Sequence, residues 1–126
     1  PPGEQLPRGS VTMTSPVEVP VGEGGYSYDE PQYDPNVVNR LFRTRQAQFL
    51  RCYERAMMRN PELRGVVTVA FTLTPDGRVA NAVSRSQDMW GEVTECVSQA
   101  VERFRTNPPP EVPVRFEVRM TMVPRE

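Results

Sequence analysis

Val114, Phe116, Val118, Met120 and Met122 stand at every second position near the end of the chain, with Arg115, Glu117, Arg119 and Thr121 between them. Two-residue alternation puts each set on its own face of an extended strand, one dry and one wet. Such a strand is not stable alone. It needs sheet neighbours and an apolar cover for its dry face, and the rest of the chain has to supply both.

The neighbours are legible. Val66-Val67-Thr68-Val69-Ala70-Phe71-Thr72-Leu73 is rich in β-branched and aromatic residues and reads as a strand. Thr74-Pro75-Asp76-Gly77-Arg78 reads as a turn: proline presets φ, Asp bonds its own backbone, and Gly accepts a left-handed conformation. Val79 to Ser84 then returns as the second arm of a hairpin.

The cover is helical. Asp34 suits an N-cap and Pro35 the first helical position, and the pattern runs to about Asn60, before Pro61. At about 100° per residue, Val38, Phe42, Phe49, Leu50, Cys52, Tyr53, Ala56 and Met57 share one side, with Arg40, Arg43, Arg51, Arg55 and Arg59 opposite. That arginine stripe reads either as a solvated face or as a surface for phosphate, nucleic acid or an acidic partner. A second helix is expected over about Asp88 to Arg105, with Trp90, Val93, Val97, Ala100, Val101 and Phe104 as its apolar stripe.

The expected fold is therefore α+β: a three-stranded antiparallel sheet with two helices packed on one face, in the order α-β-β-α-β. A strand added after a helix pairs with the hairpin on one side only, so at least one long edge is expected to stay open.

Residues 1–33 read differently. Of the fourteen prolines and eight glycines in the chain, seven and five lie in residues 1–35, which opposes regular structure and limits burial. That stretch carries six acids against Arg8, whereas the remaining fourteen Arg face ten acids. We expect a flexible, acidic Pro/Gly-rich linker over 1–33 and a folded domain over 34–126. Val17-Glu18-Val19-Pro20-Val21 is an alternating stretch inside the linker that could pair with the domain's own edge, although Pro20 restricts it to an edge strand. No run approaches the roughly 20 apolar residues of a membrane helix, and the Pro-Pro-Gly start leads us to expect a longer protein with its targeting segment elsewhere.

The composition narrows the chemistry. There is no histidine, and all fifteen basic residues are arginine, so His or Lys proton shuttles, His metal ligands and Schiff-base nucleophiles are absent from this chain. Carboxylates such as Asp76 and Asp88 fall in a turn and at a helix start, where structure accounts for them. We expect no enzyme activity, cofactor or metal.

Cys52 and Cys96 each sit on the flank of a helical apolar stripe. If the helices lie side by side, the sulfurs can meet, and we expect a disulfide and an oxidising compartment. Two buried thiols of a cytosolic protein, or a redox-active pair, remain the alternatives. A bridge would contribute on the order of 4 kcal/mol through the loop it closes.

Arg51-Cys52-Tyr53-Glu54-Arg55-Ala56, Pro61-Glu62-Leu63-Arg64-Gly65-Val66-Val67-Thr68-Val69-Ala70-Phe71, Pro75-Asp76-Gly77-Arg78-Val79 with Ala82 and Ser86, and Cys96-Val97 together resemble the TonB C-terminal domain superfamily over about residues 36–123. They are most similar to the TonB-like branch of myxobacterial gliding-motility machinery, in which a Cys-Tyr-Glu helix and a second helical Cys recur. The resemblance implies a periplasmic energy-transducing domain. It would be tethered by an inner-membrane segment outside this chain and would grip an outer-membrane or periplasmic protein, in transport or motility.

An open edge strand offers unpaired N–H and C=O groups to an extended peptide of a partner. We expect that peptide along Val114, Arg115, Phe116, Glu117, Val118, Arg119, Met120 and Thr121, with Arg115, Glu117, Arg119 and Thr121 as solvent-facing selectors. A strand-swapped dimer would use the same edge. The alternative is an arginine-rich RNA-binding module, which the lack of a Gly-x-x-Gly clamp and of paired aromatics on the strand faces disfavours.

Overall fold

The computed structural model describes residues 6–19 and 32–125. Two short strands open it, β1 (Gly9–Met13) and β2 (Val17–Val19). Helices α1 (Pro35–Thr44) and α2 (Gln46–Met57) follow, then the hairpin β3 (Gly65–Leu73) and β4 (Val79–Arg85), helix α3 (Gly91–Glu102) and β5 (Val114–Pro124). All strand pairings are antiparallel, in the spatial order β1-β5-β3-β4, with β2 also lying against β5.

The α+β class and the hairpin stand, but among the described residues the sheet has five strands and the helices number three. The additional strands come from the stretch expected to be linker. The additional helix comes from a break at Arg45, whose φ of −105° and ψ of 12° leave the helical region. Its N–H is shared between the Leu41 and Phe42 carbonyls, while the Thr44 hydroxyl donates back to the Arg40 carbonyl at 2.8 Å. A threonine bonded to the preceding turn in this way bends helices.

The N-terminal signal behaves as read: Pro35 opens α1, and the Asp34 carboxylate accepts the Asn36 N–H at 2.9 Å. The third helix starts later than expected, because Asp88 serves the sheet instead of a cap. Its Oδ1 accepts the Val66 N–H at 3.2 Å and the Ser86 hydroxyl at 2.9 Å. In the hairpin turn Gly77 has φ +80° and donates to the Thr74 carbonyl at 2.9 Å.

One face of the sheet is dry and covered by the helices. Val114, Phe116, Val118, Met120 and Met122 are all at most 1% exposed, as are Val67, Val69, Phe71 and Leu73 of β3. The aromatic core spans both layers: Phe42 lies 5.4 Å from Phe49, 5.5 Å from Phe71 and 5.1 Å from Phe104, edge-on to the last. Such offset and edge-on contacts add about 0.5–1.5 kcal/mol per pair beyond burial. Cys52 and Cys96 form a disulfide between α2 and α3, with Cα atoms 5.7 Å apart. Among the described residues no helix is long and apolar enough to cross a membrane.

Candidate partner-binding site

The eight positions from Val114 to Thr121 all lie on β5, and the expected division of faces holds. Val114, Phe116, Val118 and Met120 point into the core, leaving Arg115, Glu117, Arg119 and Thr121 on the helix-free side. Their edge is not open, however. β3 pairs with β5 from Val114 to Met122 on one side. On the other, β1 runs from Gly9 opposite Pro124 to Met13 opposite Met120, and β2 from Val17 opposite Glu117 to Val19 opposite Arg115. Thr14 bridges the two: its N–H donates to the Arg119 carbonyl at 3.0 Å, and its hydroxyl oxygen accepts the Arg119 N–H at 3.3 Å.

The chain thus supplies its own edge partner. Of the alternating stretch 17–21, Val17–Val19 does pair with β5, while Pro20 and Val21 lie outside the described residues. Among the described residues, the long edge left without a neighbour is that of β4, which pairs with β3. It is irregular: the register shifts between Ala70 and Thr72, and Asn81 on β4 has φ 53°. A bulge of this kind twists an edge and discourages further strands.

The two covering strands are anchored unequally. In β1, Val11 is 3% exposed, its carbonyl accepts Gln46 Nε2 at 2.7 Å, and the Gly9 N–H donates to Glu54 Oε2 at 2.8 Å. β2 has no buried residue, and Val17 is 58% exposed. The weakly covered part of β5 is therefore Arg115 to Glu117.

The selector side chains are partly committed to the sheet. Arg115 Nη1 donates to Thr72 Oγ1 at 2.9 Å and to the Asn81 carbonyl at 3.2 Å. Glu117 accepts Arg85 at 3.1 Å. Arg119 borders two shallow clefts on the helix-free face, of about 520 and 390 Å³, that share Thr68, Arg85 and Arg119. Beside the larger, hydrogen bonds from the Ser86 hydroxyl and the Val66 N–H hold the Asp88 carboxyl below the usual carboxylate range.

The helix arginines do not form one stripe. Arg59 pairs with Glu92 and lies over the Trp90 ring, whereas Arg51 and Arg55 border the groove above the disulfide. The motif around Cys52 has three separate tasks: Cys52 bridges to α3, Tyr53 donates to the Leu63 carbonyl from full burial, and Glu54 holds β1.

The model of the C-terminal domain of the Gram-negative bacterial TonB protein matches residues 54–123, more than half of the chain. The chain belongs to the TonB C-terminal family. No curated protein and no solved structure matches it. TonB C-terminal domains are periplasmic, non-enzymatic protein-interaction domains that engage outer-membrane proteins. The part of this chain matching the TonB family carries β3, β4, α3 and nearly all of β5, while β1, β2 and α1 lie outside it. The strands covering β5 are thus an addition to the matched TonB region.

Sequence reasoning anticipated β2 but missed β1, because Gly9-Ser10-Val11-Thr12-Met13 is short and opens on glycine. The available signal was the alternation of Val11 and Met13 with polar residues. It also missed Thr68, Arg85 and Ser86, which only strand pairing brings beside Arg119.

Proposed function

We propose that this chain is the periplasmic, force-transmitting interaction domain of a TonB-like protein, and that it grips an extended peptide of an outer-membrane or periplasmic partner by strand exchange at β5. The observation that carries this reading is the unequal cover of the β5 edge: three residues with no buried side chain lie over Arg115–Glu117. A partner strand enters there, takes over the main-chain bonds of β2 and reads Arg115 and Glu117, then Arg119 and Thr121 as it advances. The exchange conserves hydrogen bonds, so its net free energy rests on side-chain packing and on partner concentration.

Load applied along β5 would be shared among ladder bonds on both of its sides, and the Cys52–Cys96 bridge limits separation of α2 from α3. The disulfide suits an oxidising compartment. An inner-membrane anchor outside this chain completes the transmission line. The recurrence of a Cys-Tyr-Glu helix with a second helical cysteine supports assignment to gliding-motility machinery, and a strand-swapped dimer through β1 and β2 is a competing occupant of the same edge.

The test is to lock the cover. Thr12 and Thr121 are direct cross-strand partners, so Thr12→Cys with Thr121→Cys offers a bridge between β1 and β5. Val17→Pro, by contrast, weakens β2. Capture of outer-membrane proteins from an envelope extract should fall in the locked protein and rise in Val17→Pro. Equal capture by all three proteins overturns strand exchange, and a concentration-dependent dimer that vanishes on locking identifies swapping instead.

A further inference from the structure

Above the disulfide, α2 and α3 leave a groove of about 250 Å³ whose rim carries Arg51 and Arg55 from α2 and Arg103 from the end of α3. All three are exposed arginines of one lining. The ion pairs among the described residues join Arg59 to Glu92, Arg78 to Asp76 and Arg85 to Glu117, and none includes these three. The nearby acids are directed elsewhere: Glu54 is bonded to Gly9, and Glu95 and Glu102 of α3 do not line the groove. A solvated helix face normally intersperses both signs, whereas this one gathers like charges and holds them together by a covalent bridge between the helices carrying them.

A second feature says what the occupant is made of. Gln99 lines the same groove and is exposed, so its carboxamide oxygen is open to a donor from an occupant. Carboxylates satisfy guanidiniums in bidentate fashion, but neither a carboxylate nor a phosphate ion supplies a donor for an amide oxygen. A peptide bearing acidic side chains supplies both, through its carboxylates and its main-chain N–H.

We infer that this groove is a second docking site, separate from the sheet edge, for an acidic peptide segment of another protein, with carboxylates on Arg51, Arg55 and Arg103 and a main-chain N–H on the Gln99 carboxamide. The site does not depend on strand exchange. It lies on the helical layer, so it can be filled while β5 is covered or engaged.

The probe is a fluorescein-labelled ten-residue peptide of alternating glutamate and glycine, titrated with the full chain and read by anisotropy. A peptide with glutamine in place of glutamate is the uncharged control. Saturable binding of the glutamate peptide alone is expected, weakening at least tenfold between about 50 and 300 mM salt, as exposed charge pairs do. Arg51→Gln, Arg55→Gln and Arg103→Gln should each weaken it roughly two- to fivefold, the size of an exposed pair, and the triple variant should abolish it. Arg40→Gln and Arg43→Gln, exposed on α1 outside the groove, should leave it unchanged. Circular dichroism and the mass of the intact disulfide establish that the variants fold. The inference is overturned if the groove variants bind like the parent, if Arg40→Gln or Arg43→Gln weakens binding as much, or if inorganic phosphate at millimolar concentration displaces the peptide at constant ionic strength.

Discussion

Gly9 and Tyr53 approach so closely that a Cβ on Gly9 would lie 2.4 Å from Tyr53 Cε2. This contact seats β1 on α2, and only a residue without a side chain allows it. Gly9→Ala must push back either the strand or a ring that is itself fully buried. Overpacking of this kind costs about 1–3 kcal/mol. The expected outcome is a lower thermal midpoint together with faster amide exchange along the β1 side of β5; protection that stays at the parent level there would refute the seating role.

The Cys52–Cys96 bridge closes a separation of 44 residues, for which loop entropy gives about 4 kcal/mol. Replacing both cysteines by alanine should lower the unfolding free energy extrapolated from urea by that order, with a somewhat steeper slope because the unlinked unfolded chain exposes more surface. A loss under about 1 kcal/mol would mean that the packing of α2 on α3 suffices alone.

Burial raises the Tyr53 hydroxyl above its ordinary value near 10.0, and the fold holds its neutral form through the bond to the Leu63 carbonyl. A raised pKa contributes stability that is complete below the unfolded value and is lost as pH climbs through the folded one. Unfolding free energy should therefore decline above about pH 10. In Tyr53→Phe that alkaline limb should shrink, while stability at pH 7 drops by about 1–3 kcal/mol because the Leu63 carbonyl is left unpaired.

Asp88 works in the opposite direction. Its carboxyl is held below the usual 3.8, first by the Ser86 hydroxyl and then by the Val66 N–H. Its contribution is present above the ordinary value and disappears as pH falls through the depressed one. Acid titration followed by NMR should show the Val66 amide shifting with the Asp88 carboxyl; in Asp88→Asn the Val66 amide should no longer titrate.

Arg85 and Glu117 join β4 to β5 across β3, with side chains 64% and 33% exposed. A pair this wet stabilises by at most about 1 kcal/mol, so Glu117→Gln should leave the thermal midpoint nearly unchanged. Under strand exchange the same substitution should alter partner capture, because Glu117 faces Val17, the first residue of β2 to be replaced. Capture identical to the parent would remove Glu117 from the selectors.

Periodicity determined a great deal of this protein. The alternation from Val114 to Met122, the Thr74–Arg78 turn and the Asp34-Pro35 helix start are local patterns whose physics acts within a few residues, and each appears where it was read. The flank positions of Cys52 and Cys96 likewise anticipated that α2 and α3 lie side by side. Tertiary structure decided what local pattern cannot carry. Gly9–Met13 has too little apolar content to declare itself a strand and becomes one because β5 offers unpaired backbone groups and Tyr53 leaves room for a glycine. Tertiary contacts divided one arginine stripe, turning Arg59 to Glu92 and Trp90 and leaving Arg51 and Arg55 at the groove above the disulfide. Whether a strand is an edge or a centre depends on what arrives beside it from more than a hundred residues away, and that pairing alone covered the edge that the order of elements had left open.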